Sequence, residues 1–184
     1  HETISLSEEM IKHALSSVLK YEDDFKKLEI DTKHITSILD KEWIKVKYED
    51  ICLEFGLEFG EDISSELEKK LIDKYQVPVF VTHWPKGLKP FYMKKDDKVA
   101  YCFDLIFPEV GELIGGSERE DSYDVLKREM EISGLDMEKM DWYLKTRKWG
   151  SVPHSGFGLG FDRLVTFVCG LQKIHDSIPF PISY

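Results

Sequence analysis

The 184-residue chain is poor in arginine: only Arg119, Arg128, Arg147 and Arg163 occur, none before position 119, and the rest of its 25 basic side chains are lysines. Acidic residues outnumber basic ones 35 to 25, for a formal net charge of −10. That balance excludes a broad nucleic-acid-binding face, because phosphate binding needs concentrated Lys and Arg. Cysteine is scarce as well. Cys52, Cys102 and Cys169 are odd in number, widely spaced and without paired metal-ligand spacing, so buried, reduced thiols in a cytosol-like compartment are expected rather than a disulfide frame. No run approaches the ~20 apolar residues of a membrane span, and His1-Glu-Thr-Ile lacks the charged-then-apolar pattern of a signal peptide. Low-complexity linkers and internal repeats are also missing. What the chain does have is 42% hydrophobic residues and 12% aromatics, enough for one sizeable core and a single α/β unit.

Periodicity assigns the elements. Ser7 to Lys20 is amphipathic, with apolar residues at Met10, Ile11, Ala14, Leu15, Val18 and Leu19, and predicts a helix capped by serine. His13 then sits on a solvated helix face. A strand over Ile44–Lys47 precedes helices over Tyr48–Phe55 and Ser64–Tyr75. Short strands are predicted at Pro78–Thr82, Pro90–Met93, Val99–Phe107 and Gly111–Gly116. Turn residues separate them at Pro85-Lys-Gly87, Asp96-Asp97 and Pro108-Glu109, which favours an antiparallel sheet. Helices return over Asp121–Ser133, where Gly134 supplies the stop, over Asp136–Lys148, and over Asp162–Val168 after a glycine-rich strand.

That last junction carries the strongest chemical signal. In Ser151-Val-Pro-His-Ser-Gly-Phe-Gly-Leu-Gly-Phe-Asp-Arg163, glycines at alternate positions (Gly156, Gly158, Gly160) leave one face of an extended segment bare, so that a flat ligand can lie on the backbone. Arg163 follows at the start of an apolar helix, where a guanidinium can grip phosphate oxygens or stack on a base. Upstream, Asp104 and Glu112 lie on two strands joined by the turn Pro108-Glu-Val-Gly111, and such a hairpin can set both carboxylates over one hard cation. Arg119 follows Gly-Gly-Ser, where small residues leave room for a substrate and a guanidinium can donate paired hydrogen bonds to a carboxamide or carboxylate. Arg128 and Arg147 lie among charged helix neighbours, where a solvated role is expected. His154 reads equally as a structural histidine or a pocket residue, and Trp149 and Phe157 equally as pocket walls or core.

Several of these segments together resemble one family. Gly156-Phe-Gly-Leu-Gly-Phe-Asp-Arg-Leu164 is similar to the third motif of class II aminoacyl-tRNA synthetases, and Ile174 to Pro181 to the segment after it. Lys89-Pro-Phe-Tyr-Met93 and Phe103 to Glu120 resemble, in order and spacing, the amino-acid and metal-binding strands of the asparaginyl-tRNA synthetases, whose subgroup also holds the aspartyl and lysyl enzymes. The resemblance runs from about Trp43 to Pro181. It implies an α/β (α+β) fold, an antiparallel sheet flanked by helices, with residues 1–184 forming the C-terminal part of a catalytic domain that is incomplete at its N-terminal side. It further implies ATP and Mg²⁺, with Asp104 and Glu112 at the metal. Glu112, Gly158, Gly160, Phe161, Asp162 and Arg163 would bind ATP, and Gly115, Arg119, His154 and Gly156 the amino acid. Arg163 and Glu112 would be catalytic.

The implied reaction joins asparagine to tRNA(Asn) in a cytoplasmic homodimer, or an organellar one if a transit peptide lies upstream. The chain departs from the family in five respects. It lacks the dimer-building first motif and the arginine-bearing second motif, Asp162 stands for the usual Glu, His175 for a usual Arg, and Phe180-Pro-Ile-Ser-Tyr184 for an ending in Phe-Pro-Arg. The missing motifs and the absence of an initiating Met make a cut piece the expectation, inactive alone. Alternatives are an asparagine synthetase-like or aspartyl-tRNA synthetase relative, or a non-catalytic paralogue serving as a binding module.

Overall fold

A computed structural model describes residues 2–182; Ser183 and Tyr184, part of the C-terminal departure noted above, lie outside them, as does His1. Five strands form one sheet in the order β1-β2-β3-β4-β5: Ile44–Lys47, Val79–Thr82, Cys102–Phe107, Gly111–Glu118 and Ser155–Leu159. The pairs β2–β3, β3–β4 and β4–β5 are antiparallel as expected, whereas β1 and β2 run parallel. The parallel pair follows from the connection, since β1 leads through helices α4 (Tyr48–Phe55) and α5 (Ser65–Tyr75) before β2 begins, and a crossover that long returns the chain in the same direction.

The two faces of the sheet are covered unequally. On the back face, Phe80, Phe103, Leu105, Phe107 and Ile114 pack with helices α1 (Glu2–Val18), α3 (Lys33–Leu39) and α8 (Phe161–Val168) through Ile4, Ile11, Leu15, Ile35, Ile38, Leu164 and Phe167. On the front face, α4 and α5 cover Val79, Val81 and Ile106 through Ile51, Leu67 and Leu71. Farther along that face the row Val81, Asp104, Gly115 and Gly158 runs across β2 to β5 in register. A separate small core joins α6 (Tyr123–Ile132) and α7 (Met137–Lys148) through Leu126, Met130 and Leu144.

Three expectations need correction. Helix α1 begins at Glu2, so Ser7 is not its cap; it lies buried within the helix and its hydroxyl donates to the Ile4 carbonyl. Pro90–Met93 is no strand. Pro90 has no N–H for a ladder, and the segment's backbone pairs just past the end of β4, through the Met93–Arg119 bridge and the Glu120 N to Tyr92 O bond. Trp149 is exposed, neither a pocket wall nor core, whereas Phe157 packs into the back-face core, one of its two readings. Helices α2 (Glu22–Lys27) and α3 were not anticipated. All three cysteines are free, with Cys52 and Cys102 buried, and among the described residues no helix is long and apolar enough to cross a membrane.

Candidate active site

The bare strip on the front face is built by alternation. Gly156 and Gly158 of β5 share that face with Gly115 and Ser117 of β4, because Ser117 pairs with Gly156 and Gly115 with Gly158, while Phe157 and Leu159 point into the back-face core. A Cβ at Gly158 would meet nothing within 4 Å, so its missing side chain leaves open floor. Gly160 lies beyond the strand, at the cap of α8. Its missing Cβ accommodates Arg163, whose Cδ would be 3.3 Å away, so its part in a site runs through that arginine.

Glu112 reaches the strip through an irregularity. Counting by two from Gly115 puts Leu113, not Glu112, on the front face. The register shifts between Leu105 and Ile106, however, where Ile114 and then Glu112 are the successive partners. Leu113 is the extra residue, and both Leu113 and Ile114 turn into the back-face core. The bulge thereby brings Glu112 to the side that carries Asp104. The two carboxylates converge over Gly115, since a Cβ there would lie 2.9 Å from Glu112 Oε1 and 3.5 Å from Asp104 Oδ1.

Asp104 is buried, and its Oδ2 accepts a charge-assisted hydrogen bond from Lys89 Nζ. The Lys89 ammonium also stands 3.9 Å from the Trp84 ring centroid, a cation–π contact that strengthens where water is excluded. Burial raises the Asp104 carboxyl above the ordinary aspartate range, with Lys89 pulling the other way. Glu112 keeps contact with solvent, yet desolvation and the neighbouring Asp104 charge raise its pKa too, against Lys89 and Arg163. Two acids strained toward the neutral form are relieved by a cation placed between them.

Arg163 fastens α8 to the β3–β4 turn. Its Nη1 donates to the carbonyls of Val110, at 3.0 Å, and Glu112, at 2.7 Å. Opposite stands Glu68 of α5, whose carboxylate fills the space that a Cβ on Gly111 would occupy, at 2.7 Å. Burial and the Glu112 charge raise the Glu68 pKa, with Arg163 lowering it. Glu68, Glu112 and Arg163 line a cavity of about 550 Å³.

At the other end of the strip, Arg119 is held by two hydrogen bonds, Nη1 to Ser117 Oγ at 2.7 Å and Nη2 to the Gly156 carbonyl at 3.1 Å. Its guanidinium carbon lies 5.0 Å from the Tyr92 ring centroid. A Cβ at Gly156 would come within 3.4 Å of Nη2. His154 is exposed; its backbone carbonyl accepts from Arg119 N, and its ring Nδ1 lies 2.7 Å from the Val152 carbonyl oxygen. A larger cavity, about 850 Å³, opens at the strand ends beside Ser117 and His154, but takes in neither acid of the strip and neither Arg119 nor Arg163. The smaller one takes in Glu112 and Arg163, and neither takes in Asp104, Arg119 or the glycine floor.

The structure thus groups Asp104, Glu112, Gly115 and Gly158 at the centre, Gly160 and Arg163 at one end, and Arg119 and Gly156 at the other. Phe161 and Asp162 are exposed in the first turn of α8, away from the core. Arg147 is tied structurally, to the Glu120 carbonyl and Tyr143. Lys89, Tyr92 and Glu68 join the site without having been singled out. The Lys89–Tyr92 segment was visible as a motif, but its partners depend on loop placement that no local pattern encodes, and Glu68 is one of several helix acids.

Comparison with known proteins accords with this geometry. Residues 1–183 match the family model "tRNA synthetases class II (D, K and N)", and the chain belongs to that family. Asparagine–tRNA ligases are among the curated relatives that match the chain. An asparagine–tRNA ligase of Desulfotalea psychrophila is 40% identical over 97% of this chain and 44% of its own length, and one of Phocaeicola vulgatus is 50% identical over 70% of this chain and 28% of its own. Asparaginyl-tRNA synthetase from Pyrococcus horikoshii complexed with asparaginyl-adenylate superimposes with a TM-score of 0.86 at 34% identity, over 96% of this chain and 43% of that one. The chain therefore spans less than half the length of these relatives. The aspartyl-tRNA synthetase of Entamoeba histolytica, with a TM-score of 0.83 at 20% identity, shares the fold.

Proposed function

We propose that this chain works as part of an asparaginyl-tRNA synthetase. The asparagine carboxylate attacks the α-phosphorus of ATP and expels pyrophosphate. The 3′-terminal hydroxyl of tRNA(Asn) then attacks the activated carbonyl and expels AMP. The observation that carries this reading is the strip itself: a glycine floor with two acids over its centre, Arg163 at one end and a fixed, partly buried guanidinium, Arg119, at the other.

Roles follow from placement. Gly115 and Gly158 provide the floor, Arg163 meets terminal phosphate charge or the base, and Arg119 donates to the asparagine carboxamide oxygen, with Gly156 giving it room. His154 lines the amino-acid end, and Phe161 and Asp162 border the nucleotide end. Among the described residues no group of three or more His, Cys, Asp or Glu side chains could hold a metal ion. Two carboxylate oxygens converging over Gly115 fit Mg²⁺ nonetheless, because that ion is usually held by one or two carboxylates together with substrate phosphates. Asp104 and Glu112 would hold it, and when bound it neutralises phosphate charge. Lys89 favours the ionised form of Asp104 against its burial and orients the carboxylate. Assembly as a homodimer in the cytosol or an organelle belongs to the same reading.

The test is asparagine-dependent ATP–pyrophosphate exchange and charging of tRNA(Asn) by the complete enzyme containing this chain. Aspartate used as well as asparagine would overturn the reading. The isolated 184-residue chain is expected to give no exchange, since none of its arginines matches the family's α-phosphate arginine, and losing one such donor can cost several kcal/mol.

A further inference from the structure

The side-chain end of the strip contains a device that the family assignment does not explain. Arg119 is useful as a reader of a planar amide only if its own plane is fixed, and a free arginine side chain has many rotamers to lose. Two acceptors fix it here. Ser117 and Gly156 face each other in register across β4 and β5, so the hydroxyl of one and the carbonyl of the other meet the two terminal nitrogens of the same guanidinium, while Tyr92 lies 5.0 Å off its carbon. The remaining N–H donors stay available to a ligand.

We propose that Ser117 is a positioning residue for asparagine recognition: its hydroxyl accepts from Arg119 Nη1 and locks the guanidinium in the plane from which it reads the substrate side chain. The proposal rests on the reading of Arg119 as the residue that contacts that side chain. Ser117 is only 2% exposed, on the front face beside the strip, where a plain packing role would be served as well by alanine or cysteine. Its hydroxyl accepts the arginine proton, a bond to a charged donor and stronger than a neutral one.

The experiment uses the complete enzyme, with Ser117→Ala, Ser117→Thr and Arg119→Lys compared by steady-state exchange and by melting. Ser117→Ala is expected to raise KM for asparagine about tenfold while KM for ATP and the melting temperature stay at wild-type values, and Ser117→Thr, which keeps the hydroxyl, is expected to recover most of the loss. Unchanged asparagine kinetics in Ser117→Ala would overturn the proposal, as would a parallel rise of both KM values with a lowered melting temperature. If the threonine methyl itself lowers the melting temperature, Ser117→Ala in the Arg119→Lys background decides: no added rise in asparagine KM supports action through the guanidinium, and a further rise of about tenfold refutes it. Arg119→Lys separates the two levels: if it too leaves asparagine kinetics unchanged, the placement of the amino acid has failed, and if it alone impairs them, only the role of Ser117 has.

Discussion

Gly116 and Gly158 sit on adjacent strands of one sheet and are glycine for opposite reasons. Gly116 faces the back, where a Cβ would stand 2.5 Å from Phe103 Cε1 and 2.9 Å from Phe157 Cβ. Gly158 faces the front, where a Cβ would meet nothing within 4 Å. One glycine is required by the packing of the protein itself, the other leaves space that the protein does not fill. The same strands carry both kinds of position because side chains alternate, so Phe157 can anchor the core between two glycines that clear a floor.

Methyl groups added at the two sites should separate stability from activity. Gly116→Ala is expected to destabilise the fold by about 3 kcal/mol, since an aromatic ring and a strand must move, read as a lowered denaturation midpoint. Gly158→Ala is expected to leave the midpoint unchanged or slightly raised and to reduce asparagine-dependent exchange in the complete enzyme about a hundredfold, because a ligand lying on the backbone loses its approach. A Gly158→Ala enzyme with normal exchange would remove the floor from the site and leave the contrast between the glycines without functional meaning.

The contrast sharpens at the arginine that stands beside the floor. Arg119→Lys keeps a positive charge but loses the fork that spans Ser117 and Gly156. Asparagine activation is expected to fall by at least about tenfold with ATP affinity near wild type. Equal losses for both substrates in a titration of each would show that Arg119 supports the sheet rather than reading an amino acid.

Much of this is legible in the sequence, and the part that is not has physical causes. The hairpin, the glycine strand and the helices α4 to α8 follow from periodicity and turn residues; Ser64, Ser122 and Asp136 prove to be caps not assigned from the sequence. Gly134 takes the left-handed conformation, φ +67°, just past α6. Serine misled at Ser7, where the hydroxyl bonds back within the helix and imitates a cap in sequence. The bulge at Leu113 was invisible, because two successive apolar residues look the same whether or not the register slips, yet it decides which face receives Glu112. Lys89 meeting Asp104 and Glu68 meeting Gly111 are long-range pairings that depend on loop and helix placement.

The smallest expected effect tests the acid pair. Glu112 has a pKa raised by desolvation and by Asp104, so the folded state binds its proton more readily than the unfolded chain does. Stability linked to this group is therefore present at low pH and is lost as pH rises from the unfolded carboxylate value, about 4.3, through the raised folded one. Glu112→Gln removes that loss. At pH 7 the variant is expected to melt slightly higher than wild type, and the advantage should vanish as pH falls below the ordinary carboxylate range, where wild-type Glu112 is itself protonated. Function should move the other way. With one ligand charge gone, Mg·ATP binding by the complete enzyme should weaken about fivefold and recover in part as Mg²⁺ is raised, because a hard-cation site loses affinity without being abolished. A strand glutamate with no metal role would give wild-type Mg²⁺ titrations, and one that merely supports packing would melt lower at every pH. Melting curves across pH, run beside Mg²⁺ titrations of exchange, distinguish the three, and only higher stability joined to an Mg²⁺ titration shifted to higher concentration fits two acids held close for a cation.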